Sequence, residues 1–66
     1  MTGQQLEKLR ATLGLSQRKF AAALGISERM YIYYARGRRE DGRPVAIPRT
    51  VALACSALAH RLEPYG

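Results

Sequence analysis

The sequence predicts an all-α domain of four short helices, over about residues 2–13, 17–24, 28–36 and 48–62. Hydroxyl residues suited to cap a helix (Thr2, Ser16 and Ser27) alternate with glycines suited to end one (Gly14, Gly25 and Gly37). Between these markers the apolar residues recur at helical spacing. A turn-rich, charged stretch then leads to Pro48 and a last apolar run that stops before Pro64. With 66 residues there is room for one domain, residues 1–66, and a small core, but none for a deep substrate cleft.

The first helix opens on Thr2-Gly3-Gln4-Gln5, a capping box in which Thr2 bonds an otherwise unpaired N–H and Gln5 reaches back to the cap. Leu6, Leu9 and Leu13 make one apolar stripe, with Glu7, Lys8 and Arg10 off it, and Gly14 ends the helix. Leu15 packs ahead of the next cap and belongs with the core.

Residues 16–37 read as two short helices joined by a tight glycine turn, the punctuation of a helix-turn-helix. Ser16 caps a helix from Gln17 to Leu24, Gly25 stops it, and Ser27 caps a second that runs to Arg36 before Gly37. Phe20 with Leu24, Ile26 in the turn, and Tyr31 with Tyr34 are spaced to meet in one core. Ala21 stands where the two helices come closest, so a small side chain there permits a crossing at roughly 90 to 120°. The other face of the second helix carries Ser27, Glu28, Arg29, Ile32, Tyr33 and Arg36, a mixture suited to base edges in a DNA major groove.

Residues 37–48 are rich in turn formers and charge and read as a loop. Asp41-Gly42 suits a tiny two-stranded wing, but Arg38, Arg39 and Arg43 around it lack strand alternation. These arginines either touch a nucleic-acid backbone or are simply solvated. Pro48 suits the first position of the last helix, where its missing N–H is not needed. There Val51, Cys55, Leu58 and Leu62 form one stripe and Leu53, Ala54 and Ala57 a second beside it. This breadth is either an alanine-rich helix with a few exposed methyls or a two-fold dimer contact. The expected contact residues are Val51, Leu53, Ala54, Ala57, Leu58 and Arg61, since so small a core rarely supplies more than ~3 to 5 kcal/mol alone.

Eleven Lys and Arg against five Asp and Glu give a formal charge of +6, with ten of the eleven cations between Lys8 and Arg49. Such a chain is attracted to polyanions, because positive charge steers association and releases counterions from phosphate. One cysteine excludes an internal disulfide, and one cysteine with one histidine makes no zinc site. The uncharged run from Thr50 to Ala59 is far short of the ~20 residues that span a bilayer. No basic-then-apolar signal pattern opens the chain. A cytoplasmic protein without membrane association, metal or cofactor is expected. With no carboxylate pair, no nucleophile with its base and no phosphate-cradling glycine loop, enzymatic activity is not expected.

On these grounds the DNA-binding candidates are Ser16, Gln17, Arg18, Lys19, Ser27, Glu28, Arg29, Tyr33 and Arg36. Arg29, in the first turn of the second helix of the motif, is placed to meet guanine O6 and N7 with its fork. Glu28 either accepts from cytosine N4 or serves the helix dipole. Ser16 and Gln17 lie at a helix start, where phosphate ligands gather, and Arg18 and Lys19 follow on the solvent side. Tyr33 either contacts DNA or rests against Arg29 or Arg36. Cys55 is a small buried hydrophobe. The alternative of another class is a protein-interaction module that docks through the apolar last helix.

Gln17, Ala21, Gly25 and Ile26, with Phe20, Leu24, Tyr31, Tyr34 and the Leu-Ser-Gln at 15–17, resemble the helix-turn-helix of the Cro and phage-repressor (XRE-like) superfamily over residues 4–37. A closer resemblance runs from Ser16 to Ala59. Ser-Gln-Arg-Lys, Leu-Gly-Ile-Ser-Glu-Arg, Tyr33-Tyr34, Asp-Gly-Arg-Pro and Thr-Val-Ala-Leu-Ala-Cys are similar to the anti-CRISPR-associated regulators of phages and mobile elements. That resemblance implies a small homodimeric repressor that binds inverted repeats of double-stranded DNA in its own promoter and limits transcription of an adjacent anti-CRISPR gene. It implies DNA contacts at Arg18, Lys19 and Arg29. A Cro-like or antitoxin-type regulator of another operon shares the fold. The chain departs from the pattern in its more basic loop, Arg36 to Arg39, and its shorter amino end. Against the broader superfamily, Ala35 replaces a common glutamate, which implies that the usual buttress near Gly37 is missing.

Overall fold

The computed structural model describes residues 1–65, and its helices are α1 (Gly3–Leu13), α2 (Gln17–Leu24), α3 (Glu28–Arg36) and α4 (Arg49–Ala59). The all-α reading holds. Among the described residues no helix is long and apolar enough to cross a membrane.

Local chemistry sets the first three helices. Thr2 Oγ1 accepts from the Gln5 N–H at 3.1 Å while Gln5 Oε1 accepts from the Thr2 N–H at 2.8 Å, so the capping box is complete. Ser16 accepts from the Lys19 N–H and Ser27 from the Met30 N–H, both at 3.1 Å. Between α2 and α3 the chain reverses at Gly25, whose φ of 76° lies in the left-handed region that a Cβ disfavours. The Ile26 N–H then bonds the Ala21 carbonyl and the Gly25 N–H that of Ala22, a Schellman closure that also turns Ile26 inward.

α3 packs against both α1 and α2, and α4 lies across α1 and α2. The core between them is Leu6, Phe20, Ala21, Tyr31, Tyr34, Val51 and Cys55. The Phe20 and Tyr31 rings meet edge to face, with centroids 5.6 Å apart. Leu9, Leu13, Leu15, Leu24, Ile26 and Leu58 pack around this centre as partly buried residues. Burial pushes the Cys55 thiol pKa up, which suits a hydrophobe rather than a nucleophile.

The last helix departs from expectation at both ends. Pro48 is its cap residue, with ψ 155°, and the helix starts at Arg49. It stops at Ala59, three residues before the expected Leu62. Pro64 bars a helix that runs through it, since a proline inside a helix clashes with the carbonyl four residues earlier, but it does not by itself require a stop as early as Ala59. At the stop Arg61 takes φ 56°, its N–H bonds the Leu58 carbonyl at 3.1 Å, and the Leu62 N–H bonds the Ala57 carbonyl at 2.8 Å. This closure turns Leu62 out of the core stripe, and it is 62 % exposed.

The loop between α3 and α4 is ordered by its own bonds. Arg38 and Pro44 form one antiparallel bridge, flanked by Arg39 N–H to Arg43 O at 2.8 Å and Val45 N–H to Gly37 O at 3.0 Å. Pro44 is tolerated because the bonds fall on the residues either side of it. The Gly42 N–H closes a turn on the Arg39 carbonyl, and Gly42 has φ 86°. This geometry matches a three-residue hairpin with a bulged glycine, reduced to one bridge. Val45 and Ile47 then reach back to pack on the core.

Gly3 lets the start of α1 lie directly against the backbone at the end of α3. A Cβ built on it collides with the Ala35 carbonyl oxygen and lies 2.8 Å from that of Tyr34. The end of α3 near Gly37 is therefore packed against the start of α1 and tied by the Val45 bond. Because the obstruction is backbone, it cannot rotate away. Gly3→Ala should lower the free energy of unfolding by about 1–3 kcal/mol, outweighing the better helix propensity of alanine. Urea denaturation checks this; an unchanged midpoint would mean that α1 and α3 do not meet so closely.

Candidate nucleic-acid interface

The carboxylate of Glu7 ties three helices together. Its Oε2 accepts from Arg10 Nε at 2.9 Å and Nη2 at 2.7 Å. Its Oε1 accepts from Gln17 Nε2 at 3.0 Å and from the Tyr31 hydroxyl at 3.1 Å. Arg10 Nη1 meanwhile donates to the Leu15 carbonyl at 2.9 Å, fixing the link between α1 and α2. Because Gln17 and Tyr31 bond the same oxygen, the first residue of α2 is held beside the middle of α3. Burial pushes the Glu7 carboxyl pKa up, but bonds from Gln17, Arg10 and Tyr31 with the Arg10 charge outweigh it and hold the group below its ordinary 4.5. Burial, then the Glu7 charge, pushes the Tyr31 hydroxyl up to about 12.

The candidate contact residues lie on the ends and faces thus fixed. Ser16 and Ser27 are exposed, and each hydroxyl accepts from a backbone N–H while keeping its own hydrogen to donate. Gln17 is half-buried and spends one amide hydrogen on Glu7, which leaves the other for an outside acceptor. Arg18, Lys19, Glu28, Arg29 and Arg36 are exposed. Arg29 and Arg36 stand at i and i+7 on one face of α3, with Ile32 and Tyr33 between them and outside the core cluster.

Among the described residues the ion pairs are Glu7–Arg10 and Asp41–Arg43. Arg18, Lys19, Arg29 and Arg36 are therefore free to meet an external anion, and Arg29 is not paired with Glu28. Tyr33 lies under neither Arg29 nor Arg36. The guanidinium over its ring is that of Arg39, with Cζ 5.8 Å from the centroid. Sequence reasoning missed this because Arg39 reaches the ring through the loop rather than along the helix. It also passed over the Glu7 network, whose Arg10 spacing was visible but whose Gln17 and Tyr31 partners are distant in the chain.

On the α4 side, Val51 is not available as a dimer contact. It is only 6 % exposed and packs in its own core, because its stripe faces α1 and α2. Leu53 is 58 % exposed, Ala54, Ala57 and Leu58 are half-buried, and Arg61 is exposed. Ala54, Ala57, Leu58 and Leu62, with Ala23, Glu63 and Pro64, line a largely apolar groove of about 220 Å³.

The chain matches the helix-turn-helix family over residues 6–40, from the first buried leucine of α1 into the basic loop. No curated protein and no solved structure matches it.

The Glu7 geometry fixes a pH dependence. A folded-state pKa below 4.5 stabilises the fold fully above that value, and the contribution is lost as pH falls through the lower folded pKa. Stability to urea should therefore drop more steeply between about pH 5 and pH 3 in the wild type than in Glu7→Gln. Equal acid limbs for the two proteins would show that the network adds nothing.

Proposed function

This chain belongs to the helix-turn-helix family of DNA-binding transcription regulators, and we propose that it is a sequence-specific repressor acting as a homodimer. It binds an inverted repeat in the promoter of its own operon, and the resemblance to anti-CRISPR-associated regulators supports an adjacent anti-CRISPR gene as the one controlled. The observation that carries this reading is the unpaired guanidinium of Arg29 in the exposed first turn of α3, on a face that also carries the unpaired Arg36.

The division of labour follows from chemistry. Arg29, whose planar fork matches guanine, reads the base edge. Arg18 and Lys19, at the start of α2, hold phosphate and fix the register without carrying sequence information. Ser16, Gln17 and Ser27 add hydrogen-bond donors at the two helix starts. The apolar face of α4, with Leu53 outermost, supports a two-fold contact that would set two α3 helices about one DNA turn, ~34 Å, apart.

Arg29→Ala should weaken operator binding by about 1–3 kcal/mol and relax preference at one base pair. Lys19→Ala should weaken all duplexes alike and lower the salt slope by about one. Binding by Arg29→Ala as tight and as selective as wild type would remove Arg29 as the reading residue. Leu53→Glu should sediment as a monomer; a persisting dimer would exclude the α4 contact.

A further inference from the structure

We propose that Tyr33 is a positioning residue, whose ring holds the Arg39 guanidinium so that the loop after α3 delivers that charge to a DNA phosphate. The proposal rests on the DNA-binding reading but not on repression or on any operator.

Two independent constraints meet at Arg39. Its backbone is held by the hairpin, the N–H donating to Arg43 O at 2.8 Å and the carbonyl accepting from the Gly42 N–H at 3.0 Å. Its side chain lies over the Tyr33 ring, with Cζ at 5.8 Å from the centroid. Tyr33 in turn sits half-buried on α3 and outside the core cluster, so its ring is available to carry the loop's guanidinium. Among the described residues Arg39 has no ion pair, since the neighbouring Asp41 is engaged with Arg43. A cation–π contact uses the charge and leaves N–H groups unspent, so the Arg39 guanidinium still presents donors to phosphate oxygens. An unstacked arginine on an exposed loop spreads over many rotamers and loses that entropy on binding. Tyr33 thereby joins α3 and the loop into one preformed cationic surface instead of reading a base.

The test uses the full chain and a short random-sequence duplex at low salt, because a phosphate contact is independent of sequence. Arg39→Gln should weaken binding and lower the salt slope by about one. Tyr33→Leu should cost about two- to fivefold, the range of an exposed cation–π contact. Tyr33→Phe should bind as wild type, and Tyr33→Leu should cost nothing further in the Arg39→Gln background. Factors that multiply in the double variant would overturn the proposal by making Tyr33 an independent contact. A Tyr33→Phe loss equal to that of Tyr33→Leu would overturn it by assigning the effect to the hydroxyl. In the free protein, the Arg39 side-chain protons should be shifted upfield by the ring and lose that shift in Tyr33→Leu; no difference would also overturn it. Failure to prefer any operator would count against the repressor reading alone.

Discussion

The arrangement of the first three helices depends on one carboxylate. Glu7 stands on α1, yet its two oxygens collect Arg10 from the same helix, Gln17 from the start of α2 and the Tyr31 hydroxyl from α3. Tyr31 is fully buried, so its hydroxyl needs a partner at the edge of the core, and Glu7 supplies one without leaving solvent. Apolar packing of Leu6, Phe20 and Tyr31 provides the drive to associate but is not directional. The hydrogen bonds to Glu7 add direction, setting where the start of α2 lies against α3.

That registration is what a DNA-reading surface of this size requires. A domain of 66 residues has little core with which to resist deformation, while a groove contact needs side chains held to a fraction of an ångström. Here the two helix starts are capped by serines, the turn between the helices is closed by Gly25, and Glu7 fixes the third side of the triangle. The loop after α3 is held in a similar way, through a bridge at Arg38 and Pro44 and through the cation–π contact of Arg39 with Tyr33. The basic residues on these parts therefore project from ordered backbone.

Most of the helical framework was legible in the sequence because its signals are local. Thr2 with Gln5, Ser16, Gly25 and Ser27 act on neighbours within a few residues, and the structure uses each as its chemistry suggests. The failures have physical causes of two kinds. Where a pattern was followed past its limit, as with Leu62, the apolar period continued although the chain had already left the helix through the left-handed closure at Arg61. Where partners are far apart in the chain, as with Gln17 and Tyr31 on Glu7, no spacing rule could join them. Val45 and Ile47 fall between these cases. Their alternation about Ala46 is a strand-like signal for one face packing inward, and they anchor a loop whose charges dominate its composition. For the candidate site, the exposed face of α3 was readable from helical period, whereas the true neighbour of Tyr33 was hidden by the loop's path.

On the proposed reading, this small basic domain recognises a particular DNA sequence and is more than a general polycation. Fluorescence anisotropy of the purified chain tests it most directly, with duplex DNA from immediately upstream of its own gene compared with a scrambled duplex at physiological salt. A specific regulator is expected to prefer the native duplex by about a thousandfold or more. Equal, weak binding to both duplexes would contradict the account and reduce the +6 charge to a general attraction for phosphate.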